Sequence, residues 1–302
     1  MKKINYLKDD DLQPSQIKAI LELSKQVKAR PQDFNEVLKG RVVALLFEKA
    51  SLRTKFTLQI GIQQLGGYSV LNDGKIPDRE PIADIARNLE RWVDVVVARV
   101  YAHSTLEELS GNCGKPVINA LSDVYHPCQI LADMLTLQEH FGELKGVKLA
   151  FVGDGNNVCN SLMLAGMALG LDLRVATPKQ YAPSSDIILK AKKLKLKSQG
   201  KLLVTQNIQS AVKEADVIYT DTWISMGQEA EADVRRKVFK GFQVTERMFK
   251  LAKKQAMFMH CLPKHPNEEV VDEVFESDRS LVFEQAENRL HTIKGLLIYL
   301  FT

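Results

Sequence analysis

Cysteine is scarce in this chain of 302 residues: Cys113, Cys128, Cys159 and Cys261 are all it has, far apart and without paired spacing. Such spacing suggests neither a zinc site nor a disulfide framework, and it fits a reducing compartment. No apolar stretch is long enough to span a bilayer. The start, Met1-Lys2-Lys3-Ile4-Asn5-Tyr6-Leu7, meets Asp9-Asp10-Asp11 too soon for the apolar core of a signal peptide. A soluble, cytoplasmic protein with no membrane partner is therefore expected. Strong charge of one sign is missing as well. The net charge is only +4, and the basic run Lys192-Lys193-Leu194-Lys195-Leu196-Lys197 falls where a helix shows its face to water, so nucleic acid is not an expected partner. Short repeats and low-complexity segments are also lacking.

What is present is ordinary globular material, 45% hydrophobic and 26% charged, in a chain about twice the length of a typical domain. After an amphipathic helix near 15–28, apolar runs of strand length alternate with helical patterns, the rhythm of parallel α/β sheets. Strands are expected at 42–47, 68–71, 95–100 and 117–119, and in the second half at 148–152, 173–176, 202–205, 217–220 and 257–259. Between the halves a helix over 128–141 is broken by Gly142-Glu143-Leu144-Lys145-Gly146, and a last helix over about 286–299 closes the chain. The expected fold class is α/β with two domains, 1–132 and 133–285, each a parallel sheet flanked by helices and joined by interdomain helices. In such sheets ligands bind beyond the carboxyl ends of strands, so the chemistry belongs in the loops that follow them.

Five loops fit that rule. Phe47-Glu48-Lys49-Ala50-Ser51-Leu52-Arg53-Thr54-Lys55 leads into a helical pattern, so hydroxyls, a guanidinium and helix-start amides converge, a combination suited to phosphate. The bland alternative is an N-cap, Ser51 or Thr54, beside a surface arginine. Arg99 near a strand's end would be a costly burial unless it meets a ligand anion or a helix carboxylate. Then follows Ser122-Asp123-Val124-Tyr125-His126-Pro127-Cys128-Gln129, with a proline suited to a first helical turn. In the second half, Phe151-Val152-Gly153-Asp154-Gly155-Asn156-Asn157-Val158 only superficially matches a dinucleotide fingerprint. Val158 replaces the third glycine, and Ala176-Thr177-Pro178-Lys179 offers no acid for a ribose, so a nicotinamide cofactor is not expected. The segment Asp221-Thr222-Trp223-Ile224-Ser225-Met226-Gly227-Gln228-Glu229 reads either as a substrate loop hinged at Gly227 or as a loop around a buried tryptophan. His260-Cys261-Leu262-Pro263 ends a short strand, where a lone cysteine is ordinarily core. Glu287-Asn288-Arg289 stands at the start of the expected last helix.

Taken in order, these motifs resemble the aspartate and ornithine carbamoyltransferase family over nearly the whole chain, and His260-Cys261-Leu262-Pro263 with the Asp221–Met226 segment is similar to its ornithine enzymes. The resemblance implies transfer of a carbamoyl group from carbamoyl phosphate to the side-chain amine of L-ornithine, giving L-citrulline and phosphate, a step of arginine metabolism. It implies carbamoyl-phosphate binding by Ser51, Leu52, Arg53, Thr54, Arg99, His126, Gln129, Cys261, Leu262 and Arg289. Among these, His126 would donate to the carbamoyl oxygen, Gln129 would bind the carbamoyl amide and the Leu262 carbonyl would accept from the carbamoyl nitrogen. Ornithine would meet Asn157, Asp221, Ser225 and Met226, with Cys261, Arg99, His126 and Asp221 acting in catalysis. The first domain would then bind carbamoyl phosphate, with residues 286–302 packing back on it, and the second would bind ornithine. No metal or cofactor is needed, and a homotrimer is implied.

Two residues depart from the family pattern: Leu52 replaces the usual threonine or glycine, and Lys55 the second arginine. Together they remove a hydroxyl and a bidentate donor, and a hydrogen bond to a charged group is worth about 1.5–3 kcal/mol, so weaker carbamoyl-phosphate affinity is expected unless backbone amides compensate. Leucine there is also similar to the acetylornithine branch. The competing readings are a sibling enzyme for acetylornithine, succinylornithine or putrescine, and a paralogue that has lost turnover.

Overall fold

The computed structural model describes residues 3–76, 79–225 and 227–302. The chain divides into two units, Met1–Leu135 with Glu287–Thr302, and Thr136–Ala286. The fold is α/β, with one parallel sheet in each unit.

The first unit runs α1 (Pro14–Ala29), β1 (Val42–Phe47), α2 (Leu52–Gln64), β2 (Tyr68–Asp73), α3 (Ile82–Trp92), β3 (Val95–Arg99), α4 (His103–Asn112) and β4 (Val117–Leu121), and the chain leaves it within α5 (Pro127–Phe141). Its four strands lie in the order β2-β1-β3-β4, all parallel. Runs such as Val95-Val96-Val97-Ala98 are buried throughout, as a parallel strand covered on both faces requires, whereas β2 is an edge strand with most of its side chains exposed. From β1 the chain first steps outward to β2 and then crosses back to β3. The crevice created by that reversal, beyond the carboxyl ends of β1 and β3, is where an open α/β sheet holds a ligand. The pairing of β3 with β4 shifts register between Ala98 and Arg99, a bulge of the kind that re-aims a side chain beside a site.

The second unit runs β5 (Lys148–Val152), α6 (Asn157–Leu169), β6 (Asp172–Ala176), α7 (Ser185–Ser198), β7 (Lys201–Thr205), α8 (Ile208–Val212), β8 (Val217–Thr220), α9 (Ala232–Phe239), α10 (Glu246–Phe249), β9 (Met257–His260) and α11 (Asp272–Phe275). Its sheet has the order β7-β6-β5-β8-β9, again all parallel, which puts the reversal between β5 and β8. The loops after those two strands therefore flank the second crevice.

The last helix, α12 (Val282–Phe301), begins earlier than its periodicity suggests, so Arg289 lies well inside it rather than near its start. Nothing in Val282-Phe283-Glu284-Gln285 breaks a helix, and Glu284 in the first turn complements the helix dipole. From Glu287 onward α12 belongs to the first unit, where Gly295 lies so close to Ile20 and Ser24 of α1 that no side chain fits between them.

Candidate active site

In the first unit the residues expected to meet carbamoyl phosphate gather at the carboxyl ends of β1 and β3. Ser51 caps α2: its hydroxyl accepts from the Thr54 N–H at 3.2 Å, so the helix starts in this loop with its positive dipole end. Glu48 ties the neighbouring loops together, accepting from the Ile76 N–H at 2.9 Å and the Tyr101 N–H at 2.8 Å. Arg289 reaches into the same place from α12. Its Nη2 donates to Thr54 Oγ1 and its Nη1 to Gln129 Oε1, both at 2.8 Å. The Gln129 amide nitrogen donates to Asp133 Oδ1 at 2.8 Å, one helical turn on, which fixes the amide with its oxygen toward the guanidinium. Thr54, Arg99, His126, Gln129 and Arg289 are all buried.

Positive charge dominates this cluster. Burial holds His126 well below the usual imidazole range, and Arg289, Arg99 and Arg53 push it further in the same direction. His126 is therefore a neutral ring among three guanidiniums, able to donate one hydrogen bond while the arginines carry the charge. Arg99 and Arg289 are buried and Arg53 half-buried, and three cations so gathered suit an anion. The two residues that depart from the family pattern behave differently. Leu52 is 69% exposed. Lys55 pairs with the Asp73 carboxylate at the end of β2 and lies 5.6 Å above the Phe47 ring.

In the second unit the residues expected to meet ornithine follow β5, β8 and β9. Asn156 caps α6, its side-chain oxygen accepting from the Val158 and Cys159 N–H groups, and its amide nitrogen donates to Asp221 Oδ2 at 2.7 Å. The other carboxylate oxygen accepts from the Cys261 thiol at 2.9 Å and from the Thr222 N–H at 2.8 Å. Asp221 is buried and Cys261 half-buried. Asn157 is the next residue of the same turn, and its Oδ1 accepts from the Val158 N–H at 3.0 Å. Ser225 is engaged through its backbone with Gln228, and Met226 lies outside the described residues. Gly227, with φ of 94°, uses a conformation that side chains disfavour.

The turn that presents Cys261 is held by its neighbour. Leu262 has φ of 59°, a left-handed conformation costing about 1–2 kcal/mol outside glycine. Its N–H donates to His260 Nδ1 at 2.8 Å, which makes Nε2 the protonated nitrogen, and Nε2 donates to Glu269 Oε1 at 3.0 Å. Glu269 is fully buried.

Both halves of the chain match described family domains. Residues 5–139 match the carbamoyl-P binding domain of aspartate/ornithine carbamoyltransferase, and residues 145–300 match the Asp/Orn binding domain. The chain belongs to the aspartate/ornithine carbamoyltransferase family. A relative in this family from Pyrococcus horikoshii, named ornithine carbamoyltransferase, is 48% identical over 298 residues, covering 96% of this chain and 93% of its own. A second of that name, from Carboxydothermus hydrogenoformans, is 45% identical, covering 98% and 97%. The solved structure of ornithine carbamoyltransferase from Pyrococcus furiosus has a TM-score of 0.95 to this chain at 45% identity, covering 98% and 96%.

Four residues beside these family motifs escape a reading of the sequence. Asp133 and Gln129 are four apart on one helix, a spacing that could have flagged the pair. Asn156 stands inside the quoted turn Gly155-Asn156-Asn157, but its bond to Asp221 is supplied by the fold. Glu269 and Arg235 gave no signal, because the fold alone brings them to His260 and Asp154.

Proposed function

We propose that this chain transfers the carbamoyl group of carbamoyl phosphate to the side-chain amine of L-ornithine, giving L-citrulline and phosphate. The observation that carries the reading is the set of three arginines around neutral His126, in a chain whose relatives at 48% and 45% identity are named ornithine carbamoyltransferase.

Carbamoyl phosphate is already activated, so what the protein must supply is position and charge stabilisation. Arg53, Thr54 and the start of α2 hold the phosphate, with Ser51 as the cap and the Leu52 amide rather than its side chain contributing. Arg99, Arg289 and Thr54 face the carbamoyl oxygen, and neutral His126 donates to it. The oriented Gln129 oxygen and the Leu262 carbonyl accept from the carbamoyl nitrogen. On the acceptor side, Asn157, Asp221, Ser225 and Met226 take the amino-acid end of ornithine. An alkyl ammonium has a reference pKa of about 10.4, so the attacking amine must be favoured in its neutral form. Desolvation in the closed site disfavours the ammonium, and the Asp221 carboxylate, hydrogen-bonded to the Cys261 thiol, is the base that takes its proton before attack. As the amine attacks, a nitrogen–carbon bond forms. The oxyanion collapses, the carbon–oxygen bond to phosphate breaks, and the amine proton leaves with the phosphate. Neither a metal nor a cofactor has a role in these steps.

Carbamoyl phosphate binds first, ornithine second, and the loop 221–227 then closes. The free α-amino acid is favoured over putrescine because Asn157 and Ser225 offer polar partners to an amino-acid backbone that putrescine lacks. We also propose a cytoplasmic homotrimer. No helix among the described residues is long and apolar enough to cross a membrane, and the first unit exposes an apolar row on α2 and β2 suited to a second copy. Phosphate release on mixing carbamoyl phosphate with ornithine, acetylornithine, succinylornithine or putrescine tests the reading: ornithine alone should give rapid release. Faster release with another amine would reassign the acceptor, and release with none would make the chain a paralogue without turnover.

A further inference from the structure

Arg235 of α9 is a buried arginine that no step above uses. Its Nε donates to the Trp223 carbonyl at 2.6 Å, and its Nη2 is paired with the Asp154 carboxylate. The guanidinium lies 4.5 Å over the Tyr181 ring and 5.4 Å over that of Phe239, with Glu231 at 3.6 Å from Nη1. Phe239 stacks in turn on Trp223, ring centroids 6.0 Å apart. Arginine is thus boxed between two aromatic rings, a carbonyl and a carboxylate, and its planar donor array serves both acceptors at once, which a lysine ammonium on a single stem does not.

The positions of those two acceptors matter. Trp223 lies midway between Asp221 and Ser225, so a fixed Trp223 carbonyl sets the start of the acceptor loop. Asp154 stands two residues before Asn156, whose amide holds Asp221. Its turn is further seated by the Gly155 N–H, which donates to the Tyr181 carbonyl at 2.9 Å. Arg235 therefore joins, inside one unit, the two segments that carry Asn157, Asp221 and Ser225. We infer that Arg235 is a positioning residue for the amino-acid acceptor, holding the loop after β8 in register with the turn after β5 through Trp223 and Asp154. This rests on the functional reading above and deepens it: Arg235 sets acceptor affinity and leaves the donor untouched.

The test is steady-state kinetics on the whole purified chain, with ornithine and carbamoyl phosphate each varied. Arg235→Lys keeps a cation opposite Asp154 but gives up the bond to Trp223. In the double variant Asp154→Asn with Arg235→Met, no buried charge is left unpaired, so folding is preserved by a second route. In both, the KM for ornithine should rise at least about tenfold while the KM for carbamoyl phosphate stays within about twofold and kcat within about threefold. A purely structural role would lower thermal stability and the active fraction, and both KM values would stay in place. Ornithine KM within about twofold of the parent in both variants, or parallel rises in both KM values, overturns the inference. If the unaltered chain releases no phosphate with ornithine, the functional reading itself falls and the inference with it.

Discussion

Lys55 stands where the family pattern has a second arginine, and its ammonium is already committed to Asp73 and to the face of Phe47. A side chain spent in that way contributes little to the anion site proposed at Arg53, Arg99 and Arg289. Lys55→Arg should therefore leave the KM for carbamoyl phosphate within about twofold, whereas a donor aimed at phosphate would change it by roughly tenfold or more for 1.5–3 kcal/mol. Titrating carbamoyl phosphate at saturating ornithine decides between them. Asp154 gives a second expectation at this scale. Burial pushes its carboxyl up from 3.8 to about 7; Arg235 pulls it down, while Asp221 and Glu231 add to the rise. A carboxyl raised by folding stays protonated in the folded chain where the unfolded chain has already lost its proton. Its contribution to stability is thus present below 3.8 and lost as pH rises toward about 7. Asp154→Asn abolishes that titration. Relative to the parent, the variant should gain stability as pH climbs through this window, and the gain should level off once Asp154 is ionised in both states. Denaturant unfolding at a series of pH values measures it, and a difference independent of pH would refute it.

Elements carry their own constraints, and α12 shows two of them. Alanine is usually better than glycine inside a helix by about 1 kcal/mol, so Gly295→Ala looks favourable on propensity. In this fold the added methyl would stand 2.8 Å from the Ile20 carbonyl oxygen and 2.9 Å from the Ser24 backbone nitrogen, and closer still to the Ser24 hydroxyl. Overpacking of that kind costs about 1–3 kcal/mol and outweighs the propensity gain. Because Arg289 rides on the same helix, the displacement should also raise the KM for carbamoyl phosphate. A thermal midpoint and KM equal to the parent's would show that α1 and α12 separate without cost. Legibility in the sequence follows the same division. The strands 42–47, 148–152 and 217–220 coincide with β1, β5 and β8 because buried parallel strands are unbroken apolar runs with sharp polar ends. The start of α12 was not legible, since Val282-Phe283 reads equally well as the end of a loop until burial decides it. Residues placed by loop motifs, such as Thr54, Gln129, Asp221 and Cys261, were within reach of the sequence. Partners that only the fold supplies, such as Arg235 for Asp154 and Glu269 for His260, were not.

At the scale of the whole molecule, modest charge and an ordinary composition hide an uneven surface on the first unit. Leu52, Phe56 and Ile60 are spaced by four on α2 and so share one face of the helix, and β2, which packs beside α2, adds Tyr68 and Val70. Phe56 of α2 is 57% exposed, and Tyr68, 67% exposed, lies on an edge strand whose outer hydrogen-bonding groups face no further strand of the sheet among the described residues. Natural sheets usually blunt such an edge with charge or cover it, and a contiguous apolar patch on a soluble protein marks a place of contact. The occupant we propose is a second copy of the chain, closing into the homotrimer that the family resemblance implies. On that proposal Leu52 belongs both to this face and to the loop proposed for carbamoyl phosphate, so assembly and donor binding would share the start of α2. Phe56→Glu combined with Tyr68→Glu should shift the sedimenting species from about three chains toward the single chain of 34.0 kDa. The far-ultraviolet spectrum should stay that of a folded α/β protein, and turnover should fall with the trimer because the loop 51–54 loses its packing. A double variant that sediments as the parent does would remove this face from the interface and with it the argument that Leu52 serves assembly.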